Sequence, residues 1–297
     1  MRKWSLPMLV LLTIQTVQAQ LNPMNSVYYL NRYELNPAYA GANGQLELVA
    51  GMKAQWTGID GAPMMQGFTA NVRVADRMGI GLVAYHEMAG LLGRTQLKAS
   101  YAYHIPLDYE EENSLDLGLN AVMLWEKVDL KRAEGDLNDP SLFAFNQRQG
   151  YFDGDFGIAL RYNGWNIHAV LPNVRTLVKQ QHVRISDQYL GIGAISYRFS
   201  IAPEENTFLE PLVMYRHIKG FRSIWDIGME AIFENGKLHG NMIFHHQGSL
   251  TVGIGTEYQG LLTISANYTS DTVKMHGISN GEFGISIKCI PRKKKKQ

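Results

Sequence analysis

The feature that most constrains this fold is an alternation of bulky apolar residues with small or polar ones, repeated in short segments. In residues 250–258, one face carries Leu250, Val252, Ile254 and Tyr258, and the other carries threonine, glycine and glutamate. Successive side chains of a strand point to opposite faces, so such a segment has one apolar and one polar face. Lipid outside and a wet lumen inside demand this pattern of a membrane barrel, although a soluble periplasmic β-sandwich would alternate too.

The spacing of the turns favours the barrel. Alternation predicts 14 strands, at 45–55, 66–74, 78–87, 94–105, 114–128, 151–162, 165–171, 188–199, 206–217, 223–234, 237–244, 249–258, 261–269 and 281–290. Connections after even-numbered strands are mostly tight, whereas those after odd-numbered strands include the long segments 56–65, 129–150, 172–187 and 270–280. This asymmetry predicts an all-β, antiparallel outer-membrane β-barrel of about 14 strands, with short periplasmic turns and longer extracellular loops. An even count places both termini on the periplasmic side.

The first residues have the pattern of a secretory signal peptide. Met1-Arg2-Lys3 is basic, Trp4–Ile14 is apolar, and the small residues Val17 and Ala19 precede a cleavage point before Gln20. The apolar run is too short for a stop-transfer helix. Residues 1–19 are therefore predicted to direct the chain out of the cytoplasm.

Three further regions follow. Residues 20–44 hold two Asn-Pro turns, Asn22-Pro23 and Asn36-Pro37, and are expected to form a mostly irregular periplasmic or lumenal arm, with a helical turn near residues 26–32. This arm would lie inside the barrel or close its periplasmic mouth. Residues 45–290 form the predicted barrel, and residues 291–297 form a basic, solvated tail.

Several function classes are disfavoured. Lys plus Arg number 28 against 27 for Asp plus Glu, which argues against a nucleic-acid partner. Cys289 is the only cysteine, so neither an internal disulfide nor a cysteine-based metal site is expected. The neighbouring His245 and His246 would face opposite sides of a strand. No catalytic motif is found, so the sequence predicts no catalytic residues, no metal and no cofactor.

The segment Gln55-Trp56-Thr57-Gly58-Ile59-Asp60-Gly61-Ala62-Pro63 is unusual for a loop. It is rich in turn formers, yet it carries a tryptophan and an isoleucine. One interpretation is a hairpin loop with Trp56 and Ile59 packed underneath it. The other is a docking loop for a partner protein, in which those two side chains are apolar anchors.

This segment, together with Asn36-Pro37-Ala38-Tyr39-Ala40-Gly41, strongly resembles the opening of PorP/SprF proteins of the type IX secretion system of Bacteroidetes. Tyr101–Leu107 and Asp139-Pro140 are further similarities. The resemblance implies a non-enzymatic protein that is embedded in the lipids of the outer membrane and works with the secretion and gliding machinery.

The resemblance also implies partners. These are the periplasmic PorK/PorN ring and secreted proteins, such as large adhesins, that carry a C-terminal signal domain. Arg175, Lys179 and Arg184 are candidates for charge complementarity with such cargo. The predicted partner-binding residues are Trp56, Thr57, Gly58, Ile59, Asp60, Gly61, Pro63, Asn36, Pro37 and Tyr39. The alternative is a transport barrel for small hydrophobic solutes, plugged by residues 21–41.

Overall fold

The computed structural model describes residues 28–110, 112–129, 145–146, 150–175, 189–218, 223–233, 236–271 and 280–291. The predicted signal peptide and the lysines of the tail lie outside these residues, as do Asp139-Pro140, Lys179 and Arg184. Most of the three longest predicted loops lies outside them too.

The described chain is almost entirely strand, as the alternation predicts. The strands are β1 (Glu47–Gln55), β2 (Met64–Ala75), β3 (Met78–Ala89), β4 (Leu92–Pro106), β5 (Ser114–Val128), β6 (Tyr151–Tyr162), β7 (Trp165–Leu171), β8 (Tyr189–Tyr197), β9 (Phe199–Ala202), β10 (Thr207–Ile218), β11 (Ile224–Phe233), β12 (Leu238–His245), β13 (Leu250–Tyr258), β14 (Leu262–Thr269) and β15 (Glu282–Cys289). Most bounds fall within about two residues of the predicted ones.

All the strands lie in one antiparallel sheet that closes on itself. β1 pairs with both β2 and β15, and β10 pairs with both β11 and β8. The short strand β9 continues β8 along β10 after an interruption at Arg198, so the 15 segments form a barrel of 14 strands. The predicted barrel is confirmed, and the alternative of a soluble β-sandwich is wrong because there is a single closed sheet.

The barrel is apolar outside and polar inside. In β7, Trp165, Ile167 and Leu171 are exposed on the outer face, whereas Asn166 and His168 are buried on the inner face. The other strands show the same arrangement. Their buried Thr, Asn, Asp and Glu side chains alternate with exposed Leu, Ile, Val, Met and Phe. An apolar outer surface is stable only against lipid, which is the environment this surface fits.

The two ends of the barrel differ in their connections. At the short-turn end, β2–β3, β6–β7 and β13–β14 are joined by two or three residues each. This end also holds the first and last barrel residues, since Leu48 pairs with Cys289. The long-loop end holds residues 56–63 between β1 and β2. It also has a tight turn that the alternation did not predict, at Gly90–Leu91, because pairing of β3 with β4 extends to Ala89 and Leu92.

The described part of the N-terminal arm lies inside the barrel. Residues 28–42, here called the plug, form a short helix α1 (Arg32–Leu35) and a 3₁₀ turn (Pro37–Tyr39) with buried side chains against the inner wall. The helical turn therefore begins at the end of the predicted 26–32 segment. Among the residues the structure describes, no helix is long and apolar enough to cross a membrane.

Candidate partner-binding sites

The plug rests on a stripe of small residues across the inner wall. These residues pair in register on neighbouring strands: Gly79, Ala102, Gly118 and Gly157. A Cβ at Gly118 would lie 2.2 Å from the backbone nitrogen of Ala38, and a Cβ at Gly157 would lie 2.0 Å from Asn36 Oδ1. Real side chains never approach so closely, so the glycines are what allow the plug to lie against the wall.

Asn36 fixes the plug to the wall through its side chain. Its Oδ1 accepts a hydrogen bond of 2.9 Å from the backbone N–H of Ala38, which caps the 3₁₀ turn. Its Nδ2 donates to the backbone oxygens of Ile158, at 3.1 Å, and Ala169, at 3.4 Å. The side chain is fully buried. Since a buried amide without partners is costly, this pattern identifies Asn36 as a plug anchor.

The tyrosines of the plug each find a polar partner on the wall. Tyr33 Oη lies 2.7 Å from Ser100 Oγ, and Tyr39 donates its hydroxyl hydrogen to Asn166. Tyr28 Oη lies 3.2 Å from His168 Nε2. Burial raises the pKa of each of these hydroxyls above its ordinary value, so they are neutral phenols.

The C-terminal end of the plug is tied down through its backbone. Asn71 Oδ1 accepts a hydrogen bond of 2.9 Å from the Gly41 N–H. Arg73 donates to the carbonyl oxygens of Gly41, at 3.2 Å, and Ala42, at 3.0 Å. His104 Nε2 lies 3.0 Å from the Ala40 carbonyl oxygen. The chain is thereby held along the inner wall until it enters β1.

An ion-pair cluster joins the plug to the other side of the barrel. Arg32 of α1 donates to the Glu210 carboxylate, which also accepts hydrogen bonds from Arg198, at 3.0 and 3.1 Å, and from Ser196, at 2.6 Å. A buried carboxylate with two cations and a hydroxyl is well satisfied. The plug therefore spans the lumen from the glycine stripe to β10.

Two cavities flank the plug. The larger, of about 440 Å³, opens at the short-turn end and is lined by plug residues such as Tyr29 and Asn31 and by rim residues such as Asn163 and Lys288. The smaller, of about 130 Å³, has a partly apolar lining that includes Tyr28, Leu35, Val83, Val170 and Ile192. Glu34 lines this smaller cavity, and burial raises the pKa of its carboxyl to about 7 against the attraction of Lys98 and Lys53.

The loop of residues 56–63, here called the rim loop, is braced by backbone hydrogen bonds. The Gln55 N–H donates to the Pro63 oxygen at 2.9 Å, and the Trp56 N–H donates to the Gly281 oxygen at 2.7 Å. The Gly61 oxygen accepts from the Gly90 N–H at 2.8 Å, which joins the loop to the β3–β4 turn. Trp56 itself has a φ of 49°, a left-handed conformation that is unfavourable for a bulky residue.

The rim loop nevertheless presents its middle to solvent. Residues 58–61 are exposed, including Ile59 at 38 %, whereas Trp56, Thr57 and Pro63 are half-buried. Neither of the two sequence interpretations holds in full, because Trp56 packs partly into the structure and Ile59 projects from it. A rigid backbone with an exposed apolar side chain is a suitable docking surface.

The ten predicted partner-binding residues therefore form two separate groups. Asn36, Pro37 and Tyr39 lie in the lumen, where their contacts are with the barrel itself, and the other seven lie at the long-loop rim. Contact of either group with a partner stays a prediction. The sequence analysis did not identify Gly118, Gly157 and Glu210, which contact the plug. The sequence indicates only that they lie on strand faces that point into the barrel.

The described ranges hold no group of three or more His, Cys, Asp or Glu side chains that could bind a metal ion. His245 is buried and lies 2.8 Å from Asp226, whereas His246 is exposed and its ring packs at a tilt against Trp225, with the centroids 5.1 Å apart. The two neighbouring histidines thus point in opposite directions, as their positions in sequence indicate.

The chain is similar to known proteins in sequence and in fold. A family model described as "Type IX secretion system membrane protein PorP/SprF" matches residues 17–289. Comparison with curated proteins gives no match. Among solved structures, the Acinetobacter baumannii outer membrane protein Omp33 aligns over 83 % of this chain and 98 % of its own, at 6 % identity and a TM-score of 0.50. The Ralstonia pickettii toluene transporter TbuX aligns over 86 % and 90 %, at 11 % identity and a TM-score of 0.48. The likeness to Omp33 concerns the fold alone, that of an outer-membrane barrel.

Proposed function

The chain belongs to the PorP/SprF family of type IX secretion system membrane proteins, and from this premise we propose that it acts by binding rather than by catalysis. Its role is to anchor secreted surface proteins with a C-terminal signal domain, or to help export them. The contact surface is the rim loop at the long-loop end, which faces the cell exterior.

The observation that carries this proposal is that the rim loop is both fixed and exposed. Hydrogen bonds to Gly281 and Gly90 hold its backbone, so little conformational entropy is lost when a partner binds. Ile59 is exposed beside the half-buried Trp56, which supplies an apolar anchor at the centre of the surface. The plug in the lumen also favours binding over passage.

The opposite end suits the periplasmic partners. In this proposal the short-turn end faces the periplasm, so both chain termini lie there, and PorK/PorN ring components contact its turns. Labelling of single cysteines on intact cells tests this orientation, in a Cys289→Ser background. An impermeant maleimide should label Asp60→Cys in the rim loop and leave Asp108→Cys, in the β4–β5 turn, unlabelled. The reverse pattern would overturn the orientation.

Alanine substitutions test the contact surface. Trp56→Ala and Ile59→Ala should each lower surface retention of the cargo by about tenfold, the effect of losing one interface anchor of about 1.4 kcal/mol. Barrel abundance in the membrane should not change. Leu107→Ala is the matched control, because Leu107 is 48 % exposed at the opposite end. Equal loss of cargo and barrel in the loop variants would reduce Trp56 and Ile59 to packing residues.

A second candidate function has one observation in its favour. The 130 Å³ cavity has apolar side chains such as Val83, Val170 and Ile192, which would suit a small hydrophobic solute. Conductance in planar bilayers separates the alternatives. A closed anchor should show no conductance steps, and steps in the unaltered protein would favour a transport barrel.

A further inference from the structure

A third cavity lies beside the plug, under the inner faces of β11 to β15. Its volume is about 150 Å³, and it shares Tyr29, Leu30, Arg198 and Lys288 with the large cavity at the short-turn end. The two cavities therefore adjoin each other beside the plug. The volume of the third cavity is below the roughly 300 Å³ at which drug-sized pockets begin, so it suits one small group.

One wall of this cavity is made by Gly255 and by polar side chains that flank two glycines of β13. Gly253 on β13 pairs with Asn241 on β12 and with Asn267 on β14. Both asparagine side chains lean over Gly253, since a Cβ there would lie 2.0 Å from Asn267 Oδ1 and 2.6 Å from Asn241 Oδ1. One step along the strands, Gly255 pairs with His239 and Ser265 in the same way.

Four polar atoms that line the cavity have no hydrogen-bond partner among the described residues. They are Asn241 Oδ1, Asn267 Oδ1, Ser265 Oγ and His239 Nε2. Asn267 and Ser265 are more than nine-tenths buried. Turning one amide over would let the two asparagines pair, but Ser265 and His239 would still lack partners. Buried polar atoms in this number indicate an occupant that forms hydrogen bonds.

The chemistry of these atoms selects a hydrogen-bond donor. Both amide oxygens are acceptors, and the histidine ring places its Nδ1 3.6 Å from a carboxylate oxygen of Glu230. The cavity also holds the carboxylate of Glu257, which forms no ion pair in the described part of the chain.

The cations of the cavity are already engaged. Arg198 bonds to Glu210, and Lys288 lies 2.8 Å from Glu47. Since Glu230 faces His239, the remaining charge is negative and comes from the Glu257 carboxylate, which lies in the same cavity as the acceptor oxygens. A group with several N–H donors and a positive charge satisfies both requirements at once.

We propose that this cavity, here called the amine site, binds an ammonium group carried by a small primary amine or by a lysine side chain. The ammonium lies over Gly255, donates to the asparagine oxygens and Ser265, and is balanced by Glu257. The rest of the ligand extends toward the large cavity. The amine site does not depend on the proposed cargo contact, which lies at the other end of the barrel.

Titration calorimetry of the full chain in detergent tests the amine site. The probes are 1,5-diaminopentane and 1,5-pentanediol, which match in length but differ in charge. The diamine should bind at least about tenfold more tightly than the diol, because only its ammonium is charge-assisted. Equal affinity for the two probes would overturn the proposal.

Three variants locate the binding. Glu257→Gln and Asn267→Ala should each weaken diamine binding by about tenfold, whereas Glu112→Gln should leave it unchanged. Glu112 is the control because it is an exposed carboxylate that lines only the large cavity. Heat-modifiable migration on gels shows that each variant is a folded barrel. Unchanged affinity in both folded site variants would also overturn the proposal.

A fourth variant identifies the source of the ammonium. The tail contains four consecutive lysines, Lys293 to Lys296. Changing all four to glutamine should tighten diamine binding if a lysine of the chain itself competes for the amine site. Unchanged affinity would assign the site to a free amine or to a partner's lysine.

Discussion

Two segments carry the family resemblance, Asn36–Gly41 and Gln55–Pro63. The fold buries one of them and exposes the other. The first lies against the glycine stripe inside the barrel, with Asn36 fully buried. The second forms the rim loop, with Ile59 exposed and a backbone braced by its neighbours. Both are rich in turn formers and both carry aromatic side chains.

The difference shows that a family motif has more than one physical use. In the plug, the motif serves packing: both polar atoms of the Asn36 side chain have partners, in the barrel wall and in the plug itself, so a substitution there should act on stability. In the rim loop, the exposed side chains have few partners within the chain, so a substitution should act on binding. Substitutions in the plug should therefore lower the Tm, whereas substitutions in the rim loop should leave it nearly unchanged.

The largest effect is expected from Gly118→Ala. The new methyl group would lie 2.2 Å from Ala38 N and 2.3 Å from Pro37 C, which are backbone atoms and cannot rotate away. Overpacking of this kind should cost about 3 kcal/mol and displace the plug. Thermal melting and bilayer conductance should both report it, with a lower Tm and new conductance steps. Gly240→Ala is the control, since nothing lies within 4 Å of a Cβ there.

Asn36→Ala should be the next most damaging. It leaves the Ala38 N–H and the Ile158 oxygen without their partner, at a cost of about 2 kcal/mol. The decrease in Tm is the measurement. Asn43→Ala, at an exposed position shortly after the plug, should change Tm far less. Equal effects at the two positions would contradict the anchoring role of Asn36.

Glu34 should make plug docking depend on pH. Its pKa rises from its ordinary value of 4.5 to about 7 in the fold, so the folded state binds the proton more tightly. The contribution of protonated Glu34 to the free energy of unfolding is therefore fully present below about pH 4.5. It is lost as pH rises through 7. Because Glu34 is partly exposed to the lumen, the expected loss is about 1 kcal/mol.

The Tm should accordingly be higher at pH 5 than at pH 8 by a few degrees, on the scale of roughly 2–4 °C per kcal/mol. Glu34→Gln stays uncharged at both pH values and should remove most of this difference. A pH dependence that persists in Glu34→Gln would assign it to other groups.

Trp56→Gly should have the smallest effect on stability. Glycine adopts the left-handed φ of 49° without strain, and this gain offsets the lost packing of a half-buried ring to within about 1 kcal/mol. Thr57→Gly is a matched control, because Thr57 has no positive φ to relieve and should lose stability. A large decrease in Tm for Trp56→Gly would show that Trp56 is a packing residue like those of the plug.

The barrel could be predicted from the sequence because its determinants are local. Alternation fixes which side chains face lipid, and short turns such as Asn163-Gly164 fix where strands reverse. The plug could not be placed, because its position depends on Gly118 and Gly157, which are about 80 and 120 residues beyond it in the chain. The interruption at Arg198 was missed for a similar reason: its partner Glu210 belongs to the next strand.

The rim loop was identified from sequence, but its bracing was not. The apolar Trp56 and Ile59 stand out in a segment of turn formers, whereas the hydrogen bond from Gly90 to Gly61 joins two turns that no local pattern relates. The pairing of β2 with β3, in which Met64 lies opposite Met88, brings them together at one rim.

The most direct test of the binding account is photo-cross-linking in native cells. A photoreactive phenylalanine derivative replaces Ile59 in the rim loop or Leu107 at the opposite end, and mass spectrometry identifies the products. A secreted protein with a C-terminal signal domain should be among the products cross-linked at position 59 and absent from those cross-linked at position 107. The same secreted protein cross-linked only at position 107, or no partner at position 59 in actively secreting cells, would contradict the binding account.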